Sequence, residues 1–189
     1  MWRGAPVLTR SVVVVASVLL PLAVLANRTS YVDVPLADVV RRADAVLLVR
    51  NAEPASSEKI HDITPKGKKK DAKLYPPFKR TRSHVVVVEQ WKGQTDLLGQ
   101  TLVVDGADWE WMLEIHRKYH VEKVSKSPQV ERYIPQGKGG GAESILFVRK
   151  TAAGWSLVVQ GARESKDQAD AVRALLPAND AEERGSHGE

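Results

Sequence analysis

The chain has 189 residues, no cysteine, and 28 basic against 23 acidic side chains. Without cysteine it can be neither a disulfide-stapled scaffold nor a thiolate metal or redox centre, so its stability must come from packing. The net charge of +5 is too mild for a strong long-range field that would steer a highly charged partner.

The N-terminus carries the clearest signal. A short basic head with Arg3 and Arg10 runs into SVVVVASVLLPLAVLA, Ser11 to Ala26, which is the pattern of an export signal. As a helix this run reaches about 24 Å against a hydrocarbon core of about 30 Å, which is short for a span. Small Val24 and Ala26 mark a cleavage point, and the expected mature chain starts at Asn27; the alternative is an uncleaved anchor in the inner membrane. Either way the body is expected outside the cytoplasm, in the periplasm or secreted. The Val- and Ala-rich, cysteine-free composition points to a bacterial cell envelope. Residues 27–177 are long enough for one self-sufficient core.

VPLADVVRRAD places Leu36, Val39 and Val40 at helical spacing, with Pro35 in the first turn. Five strands follow: AVLLVRNA, SHVVVVEQW, TLVVDG, ESILFVRK and WSLVVQG. The last two are joined by TAAG and predict an antiparallel hairpin, with Gly154 supplying positive φ. Alternation puts Val46, Leu48, Val86, Val88, Phe147, Leu157 and Val159 on one interior face. Ser165 and Gln168 have capping-box spacing, and Ala169, Val172, Leu175 and Leu176 form a stripe that Pro177 ends. Residues 178–189 read as a charged tail.

Two inserts interrupt the strands, at 54–79 and 107–142. The second contains DWEWMLEIHRKYH and predicts a helix between the third and fourth strands. The order β-β-β-α-β-β, with an extra helix at each end, predicts a mainly β fold: a five-stranded antiparallel OB-like barrel. A small sandwich or an open sheet covered by the last helix is the alternative.

ADAVLLVRNAEPA, VVVVEQWKG and ESILFVRK resemble a loose set of exported bacterial proteins with an "AD-x-V" strand, a strand ending in KG and a "GE-x-x-LLF"-like strand. The layout is also similar to the netrin-like OB barrels of metalloproteinase inhibitors. The resemblance spans Val34 to about Gly161 and implies fold more than chemistry. The inhibitory Cys-x-Cys wedge of that family has no counterpart in a chain without cysteine, so protease inhibition is not implied.

Three candidate sites stand out. The first insert and the strand after it hold Lys59, Lys66, Lys68, Lys69, Lys70, Lys73, Lys79, Arg80 and Arg82. In an OB barrel this is the loop that grips oligonucleotides and oligosaccharides. Lys68, Lys69, Lys70, Lys79, Arg80 and Arg82 are the anion-binding candidates, set against a plain solvated charge run. The expected partners are an anionic envelope polymer, lipid head groups or another envelope protein. Nucleic acid is not expected, because only Tyr75 and Phe78 interleave with the basic residues.

His116 and His120, four apart, share a helix face as a two-ligand metal site requires. Arg117 stands where a zincin has its glutamate, so a boundary pair on an amphipathic helix is the competing reading. QGKGGG, residues 136–141, offers glycines for a phosphate cradle but lacks the rest of a P-loop and reads as a connector. No triad signature is present and no cofactor is expected. The functional expectation is a non-catalytic binding or assembly module, with a metal-dependent hydrolase using His116 and His120 as the alternative.

Overall fold

The computed structural model describes residues 30–60, 77–118, 120, 129–138 and 141–177. The described chain is mainly β, with three short helices. In order, the elements are β1 (Ser30–Asp33), α1 (Leu36–Arg42), β2 (Ala45–Asn51), β3 (Ser56–Ile60), β4 (Phe78–Lys92), β5 (Thr101–Asp105) and α2 (Trp109–Arg117). After them come β6 (Gln129–Arg132), β7 (Glu143–Thr151), β8 (Gly154–Leu157), β9 (Arg163–Ser165) and α3 (Ala169–Arg173). The expected signal segment and tail lie outside the described residues.

β2 pairs antiparallel with both β4 and β7. β4 pairs antiparallel with β5, β5 runs parallel to β8, and β8 returns antiparallel to β7. The pairings therefore run β2-β4-β5-β8-β7 and come back to β2, with α2 inserted between β5 and β7. The β7–β8 hairpin turns as expected, with Gly154 at φ +122.

Five consecutive apolar residues make β2 the strand buried on both faces, Ala45 to Val49 all being inaccessible. One face meets Val85, Val87, Leu97, Leu102, Val104, Leu146 and Val148, contributed by the other strands of the circuit and the β4–β5 turn. The other face, Val46 and Leu48 with Ile145 and Phe147, is covered by Val39 and Val40 of α1, Val172 of α3, and Tyr133 and Trp91. The expected interior face is thus buried, but under the helices. The cluster on the opposite face of the sheet is formed by residues of the opposite parity.

Val86 belongs to neither cluster and is half-buried. On the same strand Val88 and Trp91, of opposite parity, share the cluster under the helices. Register shifts between Val46 and Leu47 and between Leu48 and Val49 account for the change of phase, since an irregular ladder turns the following side chains to the other face.

Four further short strands decorate the circuit. β1 and β6 form a parallel pair, β3 lies on β4, and β9 lies on β7. β4 is 15 residues long and starts at Phe78, before the apolar run that announces it, because Phe78 to Arg82 pair with β3. The last expected strand stops at Leu157, and Gln160 instead bridges to Arg132. Ser165 makes no side-chain cap bond, so the capping box does not form, and Leu175 is exposed while Val172 is buried.

Candidate binding surface where the two inserts meet

The first insert opens with β3 and closes with the start of β4, and the second leads into α2. The fold brings them together. The Arg80 guanidinium lies 3.8 Å from the centroid of the Trp109 ring, and Phe78 meets His116 edge-on with centroids 5.6 Å apart. The aromatic helix that looks remote from the basic run in sequence therefore packs against its end.

Beneath this contact is a compact ion cluster. Arg80 donates through Nε and Nη2 to the two oxygens of buried Asp105, at 2.8 and 2.7 Å. Arg82 donates to Asp105 at 3.3 Å and pairs with Glu58 at 3.3 Å. A bidentate guanidinium–carboxylate pair of low accessibility fixes geometry. Arg80 and Arg82, two of the anion-binding candidates, are thus held by the protein's own carboxylates.

Lys79 differs. Its side chain lies on the opposite face of β4 from Arg80, is exposed, and sits directly across the ladder from exposed Lys59. Facing positions on antiparallel strands hold their Cβ atoms about 5 Å apart, and like charges there are destabilising. Lys68, Lys69 and Lys70 lie outside the described residues, in the segment that joins β3 to β4.

α2 is lightly held. Of its residues Leu113 alone is buried, Trp111 is 46% exposed, and its start is pinned by the Asp108–Arg149 ion pair, with Asp108 in the left-handed region at φ +46. The His116 and His120 rings do come together, centroids 4.4 Å apart. Burial lowers the pKa of His120, and the neighbouring His116 lowers it further, which favours neutral imidazole. Among the described residues no group of three or more His, Cys, Asp or Glu side chains is placed to hold a metal ion.

The glycine segment has a defined role. The N–H groups of Gln136 and Gly137 donate to Glu164, each at 2.8 Å, and that of Lys138 reaches Asp167 at 3.4 Å. The positions a phosphate would take in a cradle are filled by carboxylates of the same chain. A Cβ on Gly137 would lie 2.5 Å from both Asp167 Oδ1 and Ser165 Cβ, so glycine is required by close approach.

Sequence reasoning missed two features. The Lys59–Lys79 juxtaposition depends on β3, a polar strand that only its ladder partner reveals, although the alternation in FKRTR was a usable hint. The Glu164 carboxylate, 1% exposed, gave no local signal because three of its four donors, on Tyr133, Gln136 and Gly137, lie about 30 residues earlier. No protein-family model matches the chain, and neither a curated protein nor a solved structure matches it.

Proposed function

We propose that the chain is an exported, non-catalytic binding module of a bacterial cell envelope, built on an OB-like barrel, which takes an anionic envelope polymer across β3 and β4. Export rests on the basic head, the apolar run and the small residues at Val24 and Ala26. The barrel reading is supported by the circuit β2-β4-β5-β8-β7, its parallel pair between third and fifth strands, and the helix between third and fourth. In that reading the segment from β2 to β4, carrying β3 and the lysine run, is the loop with which such barrels hold extended ligands.

The observation that carries the ligand class is the Lys59–Lys79 pair. Two ammonium groups facing each other on an exposed ladder cost stability, and a polyanion lying across both turns that repulsion into attraction. α2, with Trp111 and the His116–His120 pair, packs on the Phe78 and Arg80 face of β4, the face opposite to this lysine pair.

The test is binding of the full-length protein to dextran sulfate over a salt series. Replacing Lys59 and Lys79 together by serine should weaken binding about tenfold at low salt and flatten the salt slope. The Lys68, Lys69 and Lys70 triple serine variant should do the same. Unchanged affinity and slope in both variants would defeat the reading. Binding to anionic vesicles but not to dextran sulfate would redirect it to lipid head groups. Stoichiometric zinc lost on changing His116 and His120 to alanine would replace it with the metal-dependent reading.

A further inference from the structure

β1 stands apart from the strand circuit. It pairs in parallel with β6, as a sheet of two strands, and all its residues are exposed, Tyr31 at 45% and Val32 at 43%. The Val34 N–H donates to the Arg132 carbonyl of β6 at 2.8 Å. Backbone groups alternate in direction along a strand, so Ser30 and Val32 also face β6, while the N–H and C=O groups of Tyr31 and Asp33 point away from it. Among the described residues no strand pairs with that outer edge.

An edge of this kind is a template for another strand, and proteins blunt it with lysine, proline or a bulge. SYVD has neither lysine nor proline, and its register with β6 is unbroken. Its one charge, Asp33, is paired within the chain. Arg132 donates to that carboxylate through Nε at 2.6 Å, and its guanidinium carbon lies 4.8 Å from the centroid of the Tyr31 ring. The guanidinium thus leans back over Tyr31, and among the described residues its two terminal nitrogens make no further bond.

We infer that β1 is the contact of a symmetric dimer, in which a second copy of this chain adds its own β1 antiparallel along this edge with Val32 on the twofold axis. The strand is complementary to itself in that register. Tyr31 lies opposite Asp33 of the second copy, and the outward backbone groups of the two residues exchange hydrogen bonds in both directions, a pairing that the axis repeats. Val32 meets Val32 of the second copy at the closer, non-hydrogen-bonded position, which takes exposed apolar surface out of water. Asp33 of the second copy stands beside Tyr31, on the face where Arg132 has its uncommitted nitrogens, so each copy offers a cation to the other's carboxylate. Moving the axis to Tyr31 sets Val32 against Ser30 and takes that carboxylate away from Tyr31. The dimer also joins two two-stranded sheets into one of four strands, and a sheet of three or more strands is the more stable unit. β1 carries none of the lysines of the polymer surface, so the two contacts are independent.

The test is cysteine cross-linking of the full-length protein, which has no cysteine of its own, in a mild detergent that covers the apolar run at 11–26. Val32→Cys should give a disulfide-linked dimer with diamide, because residues opposite each other at the non-hydrogen-bonded position hold their Cα atoms about 4.5 Å apart, within disulfide reach. Val103→Cys, at a position 45% exposed on β5, is the control and should stay monomeric. Sedimentation of the parent should show dimer at about 100 μM, since a contact this small belongs with the weak assemblies. Val32→Lys sets two ammonium groups together on the axis and should weaken the dimer at least about tenfold, with an unchanged circular dichroism spectrum because the position is exposed. A parent that stays monomeric, a Val103→Cys variant that cross-links as readily as Val32→Cys, or a dimer indifferent to Val32→Lys would overturn the inference. A monomeric parent that binds lipid vesicles, with binding lost in Val32→Lys, would assign Tyr31 and Val32 to a membrane surface instead.

Discussion

The Tyr133 hydroxyl donates a hydrogen bond to the Glu164 carboxylate, and both residues are buried. The same carboxylate takes the N–H groups of Gln136, Gly137 and Ser165, each at 2.8 Å. Burial pushes the Glu164 pKa up, but the bonds from Tyr133, Gln136, Ser165 and Gly137 together outweigh it and hold the pKa below the ordinary carboxylate value. Tyr133 moves the other way, raised by its own burial and by the carboxylate beside it.

Glu164→Gln should therefore destabilise the fold by about 3 kcal/mol, since an amide oxygen cannot replace a carboxylate that accepts four donors. The pH dependence follows from the sign of the shift. A carboxylate whose folded pKa is depressed contributes stability above its unfolded value, about 4.3, and loses it as pH falls through the lower folded value. Denaturant melts between pH 6 and pH 3 should show the parent losing more stability than Glu164→Gln. Parallel curves would show that this carboxylate does not contribute to the acid limb.

β2, β5 and β7 were legible because each is a short apolar run closed by a turn or a charge, and burial alone dictates such a run. β1, β3, β6 and β9 were not, because their side chains are mostly polar and their pairing is set by partners distant in sequence: Ser30 lies opposite Gln129, and Ser144 opposite Ser165. The site divides in the same way. Its lysines and aromatic helix can be read from composition and spacing. That Arg80 stacks on Trp109, and that Lys59 faces Lys79, depends on long-range pairing that no local pattern encodes.

Phe147 is fully buried between the outer face of β7 and the covering helices, with the Tyr133 ring edge-on at a centroid distance of 6.1 Å. Phe147→Ala should cost about 4 kcal/mol, the sum of lost transfer energy and the cavity left among residues fixed by the sheet. Urea denaturation checks this, and a change below about 1 kcal/mol would contradict the burial of this face.

Asp105 organises α2 from a distance. Its two oxygens hold the Arg80 guanidinium, and that guanidinium lies on Trp109 at the first position of the helix. Asp105→Ala removes the partner of a largely buried cation and should cost about 3 kcal/mol. Because Leu113 is the one buried residue of α2, the helix has little else to hold it. Amide hydrogen exchange should therefore quicken in residues 109–117 well beyond the change in β2 and β7. A uniform increase across the chain would show that Asp105 supports the sheet alone.

Lys79 offers a substitution whose effects on stability and on function have opposite signs. Lys79→Glu would set a carboxylate opposite Lys59 in place of a second ammonium, replacing a repulsive cross-strand pair by an attractive one. Both positions are exposed, so screening keeps the gain small, about 0.5 kcal/mol. The same change reverses the charge where a polyanion would lie, so affinity for dextran sulfate should fall further than with Lys79→Ser and its salt slope should flatten. Thermal melts at 20 mM and 500 mM salt, paired with binding at the same two concentrations, read both effects. A variant that is more stable at low salt and binds less is expected if the lysine pair exists for its ligand. A variant that is more stable and binds as the parent does would show that the pair is not part of the polymer surface.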